Sequence, residues 1–146
     1  MNVGKICTRN TVTIREDKTV REAAKLMKEY NVGYLIATLE QKNIPIPAGI
    51  LTDRDIVVKC LFNGYNINEV KVGEIMSTPV LTVSESFSIL DTLMKMRLRY
   101  NSIRRIPVVD EKGHLTGVLS LDDILDYISK ELNEITQIFH REEPLV

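Results

Sequence analysis

The residues of this sequence best suited to chemistry come in two sets of one design. Thr52 and Asp55 lie in GILTDRD (49–55), and Ser120 and Asp123 lie in GVLSLDD (117–123), 68 residues later. In each, a glycine and two aliphatics lead to a hydroxyl residue, and an acid follows three positions on. As isolated segments these are helix caps: the hydroxyl accepts from a backbone N–H and the acid favours the first turn. A strand running into a helix also leaves unpaired N–H groups where an anion can sit. An aspartate at that point repels phosphate, so it needs something else to hold. A ribose diol fits, because one carboxylate can accept from both hydroxyls, as in dinucleotide-binding folds. Cations for a phosphate stand in IRRIP, as Arg104 and Arg105, and guanidinium suits phosphate oxygens. Adjacent strand residues face opposite ways, so one of the two arginines is expected to face a cleft and the other solvent.

Other chemistry is poorly supported. His114, in a turn, and His140, near the end, are expected to be exposed and inert. No Cys–His pair has zinc-ligand spacing, so no metal site is expected. Ser120 has no histidine base in any visible motif, and the chain does not read as an enzyme. Cys7 and Cys60 are too few for a disulfide framework and read as reduced thiols.

The elements that must position these residues are themselves duplicated. NVGKICTRNTVTI (2–14) aligns with KVGEIMSTPVLTV (71–83) at an offset of 69. Further along, Gly33 and Tyr34 stand where the second copy has Arg104 and Arg105, and Ile36 stands opposite Pro107. The first copy carries extra residues in TLEQKNIPIPA. Each copy predicts an extended approach and then a helix opened by hydroxyl-x-x-acid, Thr19 with Glu22 and Ser88 with Asp91. Apolar stripes follow, Ala23, Ala24, Met27 and Tyr30 in one and Ile89, Leu90, Leu93, Met94 and Leu98 in the other. Two short strands and a second helix complete each copy. Pro45 and Pro47 argue against a regular central strand in the first, and DEKG predicts a tight hairpin turn in the second. The last helix predicts about 18 residues of amphipathic pattern, from Ile124 through Ile128, Leu132, Ile135 and Phe139. Its far end has nothing left in its own copy to cover, so it is expected on a twin subunit or on the first copy.

At 146 residues, 44% hydrophobic and 27% charged, the chain has the composition of a globular domain. A net charge of −1 gives no general attraction to nucleic acid or to an anionic membrane. No apolar run approaches the roughly 18 residues of a membrane span, and the N-terminus does not read as a signal peptide. A cytoplasmic location is the expectation. The basic stretch KMRLRYNSIRR, which includes Arg99, reads as solvated face plus phosphate pocket. Neither half, at about 60 residues, is secure alone, but two halves packed together would be.

The paired VGxI starts, the IPVVDEKGHLTGVLS hairpin and the duplicated GILTDRDI and GVLSLDDI turns resemble a tandem pair of cystathionine-β-synthase (CBS) domains, a Bateman module. The resemblance covers residues 2–132. It implies an α+β fold of two β-α-β-β-α units, packed sheet to sheet about a pseudo-twofold axis. The units would be 2–65 and 71–132, followed by a helical extension and tail at 133–146. It further implies a regulatory sensor that needs no cofactor, binds AMP, ADP or ATP between the repeats, and alters its own conformation or the affinity of an unidentified effector protein. Asp55 and Asp123 would hold ribose; Thr52, Ser120, Arg104 and Arg105 would serve hydroxyl and phosphate. Thr52 and Asp55 would work with Ile103, Arg104, Arg105 and Thr78, Pro79 and Val80. Ser120 and Asp123 would work with Val32, Gly33, Tyr34, Thr11 and Val12. Similar modules pair into homodimers through their helices. Sensing of S-adenosylmethionine or NAD(H), or a constitutive dimeric scaffold with vestigial clefts, are the alternatives.

Overall fold

The computed structural model describes residues 1–98 and 103–141. Arg99 and the tail after Arg141 lie outside them. Two three-stranded sheets follow one plan. The first comprises β1 (Thr13–Arg15), β2 (Tyr34–Gln41) and β3 (Ile44–Thr52), with α1 (Val20–Tyr30) between β1 and β2. β1 runs parallel to β2, and β3 returns antiparallel. After β3 come a three-residue helix α2 (Asp53–Asp55), continuing as a π-helical stretch over Ile56–Leu61, and the short α3 (Val72–Ile75). The second sheet repeats the order with β4 (Val83–Ser84), α4 (Ile89–Arg97), β5 (Arg105–Val109), β6 (Leu115–Ser120) and α5 (Leu121–Arg141). The edge strands β3 and β6 touch, which joins the sheets.

The local signals act as their chemistry dictates. Thr19 and Glu22 close a reciprocal cap on α1, and the Ser88 hydroxyl accepts from Asp91 N at 3.0 Å on α4. Asp110 accepts from the N–H groups of Lys112 and His114 at 2.8 and 2.9 Å, which sets the DEKG turn. His114 is half-buried there, its Nδ1 3.3 Å from Asp110. β3 runs through both Pro45 and Pro47, yet it is not a regular central strand. It is an edge strand with a register shift opposite Ala37 and Thr38, and an edge tolerates missing donors. On α4, Ile89 and Met96 point inward while Leu90, Met94 and Leu98 are exposed, so the predicted stripe splits over two faces.

Each sheet has its own core, and each core is completed by the other repeat. Val20, Ala23, Leu35, Leu51 and Cys60 cluster with Val72 and Ile75 from the start of the second repeat. Val83, Ile106, Val108 and Leu119 cluster with Val3 from the start of the first. Backbone bonds hold the exchange: Val3 N donates to Phe87 O at 2.9 Å, and Val72 N donates to Lys18 O at 2.8 Å. Val3 and Val72 are fully buried, and burying such a side chain is worth about 1.5–3 kcal/mol. The halves therefore depend on each other for core residues as well as for surface.

Candidate functional site

The exchange brings a segment of one repeat beside the hydroxyl–acid turn of the other. Ser77 bridges Ile50, two residues before Thr52, and Thr8 bridges Val118, two residues before Ser120. The glycines of the repeated phrase make room for this approach. A Cβ on Gly117 would lie 2.8 Å from Thr8 O, and one on Gly49 would lie 2.9 Å from Ser77 O and 2.6 Å from Met76 Sδ.

Both turns are closed caps. The Thr52 hydroxyl accepts from Asp55 N at 3.1 Å while Asp55 Oδ2 accepts from Thr52 N at 3.0 Å. Ser120 and Asp123 match them at 3.1 and 2.8 Å. One oxygen of each carboxylate is thus committed to its own main chain, as the capping argument requires. The other oxygens differ. Asp55 Oδ1 lies 3.2 Å from Lys59 Nζ, which also donates to Ile75 O at 3.1 Å. Asp123 Oδ1 accepts from the Thr8 hydroxyl at 3.5 Å, and the position matching Lys59 is Tyr127. The Asp55 side chain is only 14% exposed. Since a carboxylate oxygen has two acceptor positions, both acids retain capacity for further donors.

A contact across the repeats links the two sheets here: the Arg105 guanidinium lies over the Tyr34 ring, 4.2 Å from its centroid. Tyr34 pairs with Thr52 and Arg105 with Ser120, so the two occupy matching positions in their sheets. Arg104 is exposed, and its carbonyl accepts from Leu121 N at 2.9 Å, as Gly33 O does from Asp53 N at 3.0 Å. Arg104 directly precedes β5, which begins at Arg105.

The remaining candidates fall around the same turns. Thr78 and Pro79, joined by a cis peptide, are exposed and Val80 is half-buried, directly after Ser77. Val12 and Val32 pack on the first core and Ile103 on the second. The Thr11 hydroxyl is buried without a hydrogen-bond partner. Three contacts were not singled out from sequence. Lys59 was readable as a base four residues after an acid on a helix. Thr8 and Arg9 lie just before Thr11 and Val12, in the segment that the resemblance sets beside Ser120 and Asp123, but neither was assigned a partner. Arg9 binds Glu85 and the carbonyls of Gly4 and Thr116, and holds the Glu85 carboxyl below its usual range. Burial pushes the Cys7 thiol up. Two surface hollows lie elsewhere: one of about 570 Å³ at Glu85, Asp110 and His114, the other of about 340 Å³ at Lys18, Glu22 and Lys25. Neither includes Asp55 or Asp123.

Duplicated β-α-β-β-α units that exchange their first turns, each with a reciprocally capped hydroxyl–acid turn, define a CBS domain pair. The CBS domain family matches residues 3–61 and 72–130, and the chain belongs to that family of regulatory ligand-binding modules. It is 34% identical over 137 residues to the CBS domain-containing protein YhcV of Bacillus subtilis, covering 92% of each chain. It superposes on Hypoxic Response Protein I with two coordinated zinc ions at a TM-score of 0.75 and 29% identity, covering 86% of this chain and 98% of that one. It superposes on the CBS domain pair of protein MJ0100 in complex with 5′-methylthioadenosine and S-adenosyl-L-methionine at 0.73 and 27% identity, covering 90% and 98%. Among the described residues, no group of three or more His, Cys, Asp or Glu side chains is arranged to hold a metal ion. Nor is any of their helices long and apolar enough to cross a membrane.

Proposed function

We propose that the chain is a ligand sensor that binds an adenosine-containing nucleotide (AMP, ADP or ATP) at the crevices flanking its two hydroxyl–acid turns, and regulates rather than catalyses. The observation behind this is the pair of carboxylates, each oriented by its own backbone cap, flanked by the other repeat, and left with acceptor capacity. Asp55 and Asp123 take ribose hydroxyls, with Thr52 and Ser120 beside them. The base lies against Thr78, Pro79, Val80 and Ile103 on one side, and against Thr11, Val12, Val32, Gly33 and Tyr34 on the other. Arg105 leaves the Tyr34 ring to meet a phosphate, joined by Arg104. Such a stack is worth about 0.5–2 kcal/mol, less than a guanidinium–phosphate pair in a desolvated crevice offers. The ligand shifts a conformational equilibrium only by its differential affinity for the two states.

The repeats act as 2–65 and 71–132, in the cytoplasm, with 133–146 as an extension that serves association. Leu125, Ile128, Leu132, Ile135 and Phe139 recur every three or four residues along α5, and all are exposed. The exposed apolar face of α5 supports a homodimer formed through these helices. That face also favours the second reading, a constitutive scaffold. A thermal-shift panel of AMP, ADP, ATP, NAD(H) and S-adenosylmethionine separates the two. A ligand at a hundred times its Kd adds about 2.7 kcal/mol, a clear rise in Tm. A flat response to every compound supports the scaffold and refutes the sensor.

A further inference from the structure

The two turns differ in charge position by position. From Thr52 to Lys59, two acids (Asp53, Asp55) are matched by two bases (Arg54, Lys59). From Ser120 to Tyr127 there are three acids (Asp122, Asp123, Asp126) and no base. Arg54 has become Asp122, and Lys59 has become Tyr127. The difference reaches the proposed ribose acids themselves. Lys59 stands 3.2 Å from Asp55, whereas Asp123 has a neutral threonine hydroxyl at 3.5 Å. Arg9, next to Thr8, cannot make up the deficit, since its guanidinium is spent on Glu85 and on two carbonyls, and Arg105, opposite Ser120, lays its guanidinium over Tyr34, which pairs with Thr52 of the other turn. Coulomb interactions near a protein surface still operate over the several ångströms that separate a ribose from its 5′ substituent.

Resting on the nucleotide reading above, we infer that the crevices sort ribosyl ligands by charge. The Asp55 crevice takes the anionic phosphorylated nucleoside, because Lys59 and Arg54 cancel the repulsion from its acids. The Asp123 crevice takes a nucleoside that is uncharged or cationic at its 5′ end. Lys59 and Asp122 are the residues that set the difference. Neither touches the sugar; each adjusts the potential that the 5′ group meets.

AMP and adenosine differ only by the phosphate, so calorimetric titration of the intact chain with each isolates this effect. AMP saturates at one per chain, and adenosine then binds once more to the AMP-saturated protein. Asp122→Arg, an exposed substitution, raises AMP saturation to two per chain. Lys59→Met weakens AMP severalfold more than it weakens adenosine. The sorting is overturned if AMP fills both crevices of the unaltered chain equally. It is also overturned if Asp122→Arg leaves saturation at one, or if Lys59→Met weakens both ligands alike. Binding of neither ligand refutes the underlying nucleotide reading along with it, which separates that failure from a failure of sorting alone.

Discussion

Gly117→Ala isolates the exchange of segments on which both turns depend. The added methyl would lie 2.8 Å from Thr8 O and 2.9 Å from Cys7 Sγ. The first is backbone and cannot swing aside, so the segment carrying Thr8 must lift from β6. Two hydrogen bonds are then broken, Thr8 N to Val118 O and Val118 N to Thr8 O, both 2.9 Å. At about 1 kcal/mol each, the loss is roughly 2 kcal/mol. For a chain of this size that lowers Tm by about 6 °C, at roughly 3 °C per kcal/mol. Urea unfolding followed by circular dichroism measures it. Because Val3 is buried in the second core from the same segment, the second repeat should lose protection from hydrogen exchange before the first. A loss under about 0.5 kcal/mol, or uniform loss of protection, would refute the claim that the exchanged strand braces the second turn.

Other outcomes follow from the same geometry. Replacing Leu132 and Ile135 together by lysine should turn an associated species into a monomer in light scattering while AMP binding persists, since both lie far along α5 from the turns. Arg105→Ala should weaken AMP about tenfold but adenosine little, as calorimetry would record. The backbone N–H of His114 holds the Asp110 carboxyl below its usual range, with Lys112 N–H adding to it. Its folded pKa therefore lies below its unfolded one, so its contribution is present above about pH 4 and fades as pH falls through the folded value. Asp110→Asn should accordingly destabilise the chain more near pH 7 than near pH 3; equal effects at both pH values would contradict the assignment.

Much of the fold was legible because the chain states its elements twice, once in each repeat. The caps at Thr19, Ser88, Thr52 and Ser120 are local, set by side chains three residues apart, and they appear where the spacing predicts. What local chemistry could not convey was the exchange. Val3 and Val72 look like the openings of their own repeats, and only the tertiary fold puts each into the other's core. The contact of Thr8 with Asp123 across 115 residues of chain has no local signal; only the family resemblance set its segment, with Thr11 and Val12, beside Asp123. Strand β3 extends through Pro45 and Pro47 because its edge position, a property of the sheet, removes the need for their missing donors. The stacking of Arg105 on Tyr34 likewise joins two residues that sequence placed only in parallel positions.

The central claim is that a backbone-capped carboxylate holds a ribose. Calorimetric titration of AMP into the unaltered chain and into Asp55→Asn tests it most directly. Asparagine can still accept from Thr52 N, so the cap survives, but it offers the diol one acceptor oxygen in place of two. The account predicts AMP binding by the unaltered chain and at least tenfold weaker binding by the variant, with little change in unfolding midpoint. Equal affinity in the two, or no AMP binding by the unaltered chain, would contradict it.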